Sequence, residues 1–385
     1  MDNLKKYYNV LKKMNLQNEF EINEALKRKG FYNNSEVFPL SSLHFELTER
    51  CNAFCKHCYN NSGDNTVDLM TPELWIDFAR YIVSKGGMFE CLISGGEPLL
   101  FGEKLYNLMD LLHNDGTIFL LMTNGYLLNE NVVKRLTKYQ YHWVQVSIDS
   151  AKPEYHDDFR QLKGLWKKAT AGAKLISENN IPLKIAHCIT PYNLYDFDSM
   201  CDLAYELGAS SLMAGGISLS GRTNLNRDLL LSENDKKILQ DKIRLNREKY
   251  DGVMQIRMTN SVRVGLINHS KRPSSGAVIR PNGDIKIDGM APFVIGNILK
   301  DDFETIWKKK INICWQDSRV IEFINNFDDN DRNFNYINYF DENIKYVSEK
   351  VQNIKDKKRV LALNFNSGNF STISSKDIGA EYIKI

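Results

Sequence analysis

Three cysteines close together, Cys51, Cys55 and Cys58 in the run CNAFCKHC, are the residues of this chain best suited to metal chemistry. Thiolates are the usual ligands of iron–sulfur clusters, and spacers of three and two residues let one tight loop wrap three of them around a cubane. Three ligands for four irons would leave one iron open to a ligand from outside the protein. A structural zinc site would need a fourth ligand, which His57 or His44 offers, so spacing alone leaves zinc as an alternative.

Two further groups stand where chemistry is expected. Ser94-Gly95-Gly96-Glu97-Pro98 follows an apolar run, and paired glycines allow a ligand to approach the backbone while a carboxylate suits an ammonium partner. VSIDS, with Ser147 and Asp149, closes another apolar run and is followed by PEYHDDFR, which ends at Arg160. Each has a plain reading: GGEP as an ordinary strand-to-helix turn, Asp149 as a helix cap and Arg160 as half of a surface pair. Asn124 in LMTNGY is a third candidate at a strand end. Met213 and Cys188 lie in apolar strand runs, where packing is the commoner role. Cys91 reads as packing too, and Cys201 and Cys314 as structural.

The elements that must position these residues alternate. LHFEL (43–47), ECLIS (90–94), TIFLLM (117–122), WVQVSI (143–148), LKIAHCI (183–189) and SLMAGGI (211–217) read as strands, separated by stretches of helical period. Between the first two, Thr71 is placed to cap a helix, Pro72 to open it, and Gly86 and Gly87 to stop it. Six such alternations predict parallel strands with crossover helices, as a partial barrel or an open doubly wound sheet. In either case chemistry belongs at the C-terminal ends of the strands, where the cysteine loop, GGEP, Asn124 and VSIDS fall. Farther on, RPSSGAVIRPNGDIKIDG predicts a β-hairpin turning at Pro281-Asn282-Gly283-Asp284, and DDFETIWKKKIN a short helix.

With these residues in view, Cys51-x-x-x-Cys55-x-His57-Cys58 resembles the signature loop of the radical S-adenosylmethionine (SAM) superfamily. That resemblance implies a partial (β/α)6 TIM-like barrel, one [4Fe–4S] cluster on the three cysteines, and SAM chelated by the open iron. It implies reductive cleavage of SAM to a 5′-deoxyadenosyl radical, with the protein positioning the reactants. Gly95, Gly96 and Glu97 would then meet the SAM amino group, Ser147 and Asp149 its ribose, and Arg160 its carboxylate. Asn124 would be a site residue, Met213 would pack on adenine, and Cys188 would be placed to donate a hydrogen atom to a product radical.

Residues 275–307 are similar to the SPASM or twitch extension of radical SAM peptide maturases. Ser275-Gly276-Ala277, Pro281-Asn282-Gly283, Gly296-Asn297 and Ile306-Trp307 fall in register with it, and ISLSGR, with Arg222, resembles the segment that links barrel to extension. The cysteines of that extension are missing: Ser275 and Asp288 or its neighbours stand in their places, and no cysteine lies between Cys201 and Cys314. The expected organisation is therefore a helical lead-in over 1–40, a barrel over 41–225, an extension without auxiliary cluster over 226–315, and a polar tail over 316–385. A helix near 340–356 and a hairpin at NFNSGNF are expected in the tail.

The 385 residues carry 50 Lys and Arg against 48 Asp and Glu, a net charge of +2. So balanced a charge argues against a nucleic-acid partner and against a membrane surface. No signal peptide or membrane span is read, so a cytoplasmic protein with free thiols is expected. The function expected is hydrogen abstraction from a ribosomally made precursor peptide, ending in a cross-link or an epimerised residue, with a flavodoxin- or ferredoxin-type electron donor. Dehydrogenation or epimerisation of a small molecule such as an aminoglycoside sugar is the alternative on the same scaffold. A binding or sensing iron–sulfur protein is a third reading, against which GGEP and VSIDS argue because a sensor needs no SAM cradle.

Overall fold

The computed structural model describes residues 40–63, 68–259, 262–271, 276–310 and 314–327. The lead-in over 1–39, position Ser275 and the expected elements after 327 lie outside the described residues. Six strands follow the predicted runs: β1 (Leu40–Glu46), β2 (Met88–Ser94), β3 (Ile118–Thr123), β4 (Tyr141–Ser147), β5 (Leu183–Ile189) and β6 (Ser211–Gly216). Each pairs in parallel with the next, and helices fill the crossovers. Thr71 caps the first of these, Pro72–Lys85, by accepting from the Leu74 amide at 3.3 Å, and Gly86 closes it at φ 127°.

A seventh parallel strand, β7 (Gln255–Met258), extends the sheet beyond β6. It was not expected. Only Ile256 of its four residues is buried, so it carries no apolar run to read. The predicted hairpin forms from β8 (Gly276–Ile279) and β9 (Asp284–Lys286), with Gly283 at φ 86° in the turn. β8 also pairs in parallel with β1, and β10 (Val294–Asn297) pairs with β9. The hairpin thus joins the barrel sheet, whose ten strands run β10-β9-β8-β1-β2-β3-β4-β5-β6-β7.

Covering is unequal on the two faces of this sheet. On β5, Leu183, Ile185, His187 and Ile189 are buried, whereas Lys184, Ala186 and Cys188 are only partly covered. The first set lies under the helices. The second faces the hollow of the barrel, with Gln145 and Ser147 of β4 and Met122 of β3. Strands covered on both faces were expected; instead the inner face stays open and carries polar side chains. The packed face is dense: Phe45 meets Trp75 at 5.0 Å between ring centroids, and Trp75 donates its indole N–H to the Leu47 carbonyl. No helix of the described residues is long and apolar enough to cross a membrane.

Candidate functional site

The cysteine loop leaves the C-terminal end of β1, and its backbone is held from three sides. Gly96 donates to the Thr48 carbonyl at 2.6 Å and Glu97 to that of Arg50 at 2.9 Å. A Cβ on Gly96 would lie 2.1 Å from the Arg50 oxygen, and one on Gly95, at φ 136°, would lie 2.5 Å from the Thr48 oxygen. The two glycines are therefore required by the cysteine loop itself. On the second side the imidazole of His57 stacks on Phe159 at 4.2 Å, the two rings nearly parallel. On the third, Arg222 donates its amide to the Cys58 carbonyl and its Nε to the Cys55 carbonyl at 2.7 Å, with its guanidinium over the Phe54 ring.

The three thiols open on one cavity of about 240 Å³. Ser94, Gly95, Gly96, Asn124, Ser147, Arg160 and Cys188 share its wall, so the ends of β2 to β5 converge there with the cysteine loop that follows β1. Without iron, burial pushes the Cys51 thiol up to about 12 and the Cys55 thiol up to about 11. Metal binding must therefore displace protons from both. The thiols do not form a mononuclear site: among the described residues, the triplet whose donor atoms all lie within 4.8 Å is His57, Asp149 and Cys188. The edges of a zinc tetrahedron with bonds of about 2.3 Å are roughly 3.8 Å, so a wider set of thiols suits a cubane better. The close triplet is not a metal site either, because both oxygens of Asp149 already accept from the protein.

Two carboxylates expected at the ligand do not line the cavity. Glu97 is fully buried outside the cavity wall. Its carboxylate accepts from Thr123 Oγ1 at 2.7 Å and from the amides of Asn124 at 2.8 Å and Leu99 at 3.1 Å. Burial nevertheless raises its pKa to about 7. With three protein donors in place, Glu97 ties the ends of β2 and β3 together, and the backbone of Ser94 to Gly96 is what faces the cavity. Asp149 is likewise fully buried. It accepts from Arg160 Nε at 2.6 Å and from the Cys188 amide at 2.8 Å. Burial alone would raise its pKa, but Arg160 outweighs this and holds the carboxyl well below the usual range. Asp149 orients Arg160, which reaches the cavity and lies 4.0 Å from Cys55 Sγ.

Asn124 donates to Asn52 Oδ1 at 2.7 Å and stands 3.8 Å from Cys51 Sγ. Met213 lies elsewhere, in the wall of a second cavity of about 690 Å³ that shares Met122, Gln145, Ala186 and Cys188 with the first. Arg222 and Gln145 line the site without having been assigned a role from sequence. Arg222 stands far along the chain from the loop it holds, and Gln145 lies inside the strand run WVQVSI.

The residues fit a cluster and a polar ligand beside it. Three thiols face one space, and buried polar atoms of residues on its wall (His57 Nδ1, Asn60 Nδ2, Ser62 Oγ and Arg222 Nη2) have no partner among the described residues. Such atoms cost free energy unless a ligand or water meets them. Replacing Gly96 by alanine should displace the Arg50–Cys51 backbone by on the order of 1 Å and slow SAM cleavage by roughly 100-fold. The check is the rate of 5′-deoxyadenosine formation at matched iron content. A rate unchanged from that of the parent would show that the loop tolerates the shift.

A partial barrel with three thiols around an open cavity at its strand ends is the arrangement of a radical SAM domain. Residues 45–204 match the family described as the Radical SAM superfamily. The antilisterial bacteriocin subtilosin biosynthesis protein AlbA of Bacillus subtilis is 25% identical over 324 residues, 80% of this chain and 69% of that protein. An AdoMet-dependent heme synthase of Methanosarcina barkeri is 31% identical over 170 residues, 43% of this chain and 48% of that one, so the chain spans about half its length. Streptococcus suis SuiB, solved with the precursor peptide SuiA, superposes with a TM-score of 0.58 over 81% of this chain and 73% of that one at 16% identity, a likeness of fold. Residues 45–204 thus match a radical SAM domain, and over 80% of its length the chain is similar to a bacteriocin biosynthesis protein. The cofactors of that superfamily are a [4Fe–4S] cluster and SAM.

Proposed function

We propose that this protein is a radical SAM enzyme that modifies a ribosomally synthesised peptide, by epimerisation or cross-linking. The observation that carries the reading is the pair of joined cavities. One presents Cys51, Cys55 and Cys58, and the other continues past Cys188 into a space large enough for a side chain and its neighbours. The relation to AlbA, a bacteriocin biosynthesis protein, supports a peptide. When bound, the cluster and SAM supply a reductively generated radical able to take a hydrogen atom from an unactivated carbon.

The chain's own residues then have separate tasks. Cys51, Cys55 and Cys58 hold the cluster. The backbone of Ser94 to Gly96, with Ser147, Asn124 and Arg160, holds SAM, and Asp149 and Glu97 keep Arg160 and Asn124 in place. A low-potential flavodoxin or ferredoxin would deliver the electron, and the protein would work in the cytoplasm. The β8–β9 hairpin would be a SPASM-like extension that keeps its scaffold without metal. At the position assigned to one cluster cysteine, Asp288 accepts from the Met290 and Ala291 amides. That leaves no auxiliary cluster among the described residues to receive a second electron, which favours a redox-neutral outcome.

Cys188 stands between the two cavities and serves such an outcome. After a Cα–H hydrogen atom is removed on one face, its S–H donates one to the other face. The thiyl left behind takes an electron from the same class of donor and a proton from water. Exchanging Cys188 for alanine should abolish D-residue formation and the uptake of deuterium at Cα in heavy water, read by chiral amino-acid analysis and mass spectrometry. Deuterium uptake persisting in that variant would remove Cys188 from this role. The test of the whole reading is simpler. Anaerobic protein with a filled cluster, given SAM and dithionite, should release 5′-deoxyadenosine and methionine; none at all would refute it.

The similarity to an AdoMet-dependent heme synthase favours a second reading, in which the larger cavity takes a small molecule such as a tetrapyrrole or an aminoglycoside sugar. Mass spectrometry of peptides encoded beside this gene, before and after reaction, separates the two.

A further inference from the structure

The wall of the larger cavity is cationic and carries no carboxylate among its described residues. Lys184 of β5 and Arg257 of β7 both face it. Their strands flank β6, where Lys184 pairs with Ser211 and Arg257 with Met213. Lys184 packs its ammonium over the Trp143 ring at 4.0 Å and makes no ion pair among the described residues. Among the described residues Arg257 donates to the neutral Gln255 Oε1 and makes no ion pair. Burial, and then the charge of Arg257, lower the Lys184 pKa to about 8, which still leaves it largely protonated at neutral pH. Two like charges turned into one space repel each other, Lys184 also loses hydration, and an anion placed between them would relieve the repulsion.

Their distance from the chemistry is set by register. Lys184 lies four residues along β5 from Cys188, and Arg257 pairs one layer closer, beside the row of Ala186 and Met213. At about 3.3 Å per residue these layers are roughly 13 and 7 Å from Cys188. An extended peptide covers that span in about two to four residues.

We propose that the larger cavity is a recognition subsite for an acidic side chain of the substrate peptide, whose carboxylate is held by Lys184 and Arg257 some two to four residues from the residue modified. This rests on the peptide reading above and names the substrate feature that reading leaves open. Both cations are specificity-determining residues, since neither lines the cavity of the three thiols. The carboxylate gains two charge-assisted contacts, which a neutral isostere cannot make.

The probes are two nine-residue peptides, acetylated and amidated at their ends, with a central Glu or Gln among alanines. Each is titrated calorimetrically into the full-length, cluster-loaded protein with SAM. The Glu peptide should bind at least about tenfold tighter than the Gln peptide. That preference should vanish in Lys184→Gln and Arg257→Gln and return in Lys184→Arg. Equal affinities, no binding of either peptide, or a preference that survives both Gln variants would overturn the proposal. The Glu–Gln comparison in the parent protein needs no variant, so misfolding of one cannot hide the answer. Absence of 5′-deoxyadenosine from the parent would refute the enzymatic reading and leave the charge preference measured on its own.

Discussion

Alanine in place of Cys55 is expected to leave protein that assembles no stable cluster and forms no 5′-deoxyadenosine. Cys55 is buried in the loop, its carbonyl is fixed by Arg222 Nε at 2.7 Å, and its sulfur lies against Arg160. The loop cannot slide to present another donor, because Arg222 and Asn226 hold the neighbouring carbonyls. The one neighbouring imidazole, His57, is stacked on Phe159. Two thiolates would remain for a cubane that needs three protein ligands. Fold loss should be slight, since little apolar volume is removed, so circular dichroism should match the parent while iron content and SAM cleavage collapse. Full iron loading with undiminished cleavage would show that the ligand set has been misassigned.

The second large effect lies in the joint between hairpin and barrel. Arg280, at the end of β8, is nearly fully buried and donates to Glu46 at 2.8 Å, Glu49 at 2.9 Å and Asn60 Oδ1 at 2.6 Å. Tyr59 donates to the other oxygen of Glu46. Removing one member of a buried ion pair strands the other, at a cost of about 3–5 kcal/mol. Arg280→Met should therefore lower the melting temperature by roughly 10 °C, taking about 2–4 °C per kcal/mol for a domain of this size. Because Glu46 ends β1 and Tyr59 and Asn60 follow Cys58, cluster retention should fall as well. The double variant Glu46→Gln with Arg280→Met should recover part of the loss, since the fully buried Glu46 is no longer left as an unpaired charge. If the double variant is as unstable as the sum of the singles, the network is not the source of the stability. Burial raises the Glu46 pKa, but Arg280 and its other neighbours outweigh that and hold it below 4.5. Its contribution to stability is thus complete above the unfolded pKa near 4.5 and is lost as pH falls below it.

Much of the candidate site was legible because its three thiols are local. Cys51, Cys55 and Cys58 share one loop, and each supporting motif sits at the end of an apolar run, which places it at the barrel mouth whatever the details of packing. Roles that depend on which way a side chain turns were not legible. A carboxylate at a strand end reads equally well as a ligand contact or as a brace. Thr123, Asn124 and Arg160 decide between these for Glu97 and Asp149, and in both cases the carboxylate turns inward. Met213 shows the same limit: its strand was read correctly, yet register puts it in the second cavity rather than beside the thiols.

The amino-acid sequence alone therefore determined the chemistry this protein can hold, since ligand type and spacing are properties of a short run of chain. It also determined the βα alternation that carries that chemistry to one end of a barrel, through periodicity that each segment shows by itself. Tertiary structure alone decided the rest. Arg222 on the loop it clamps, Arg280 on Glu46, and Lys184 opposite Arg257 are meetings of residues from distant segments. Only the assembled sheet and its register bring them within reach, because a side chain's partners are set by where its strand lies and not by its neighbours in the chain.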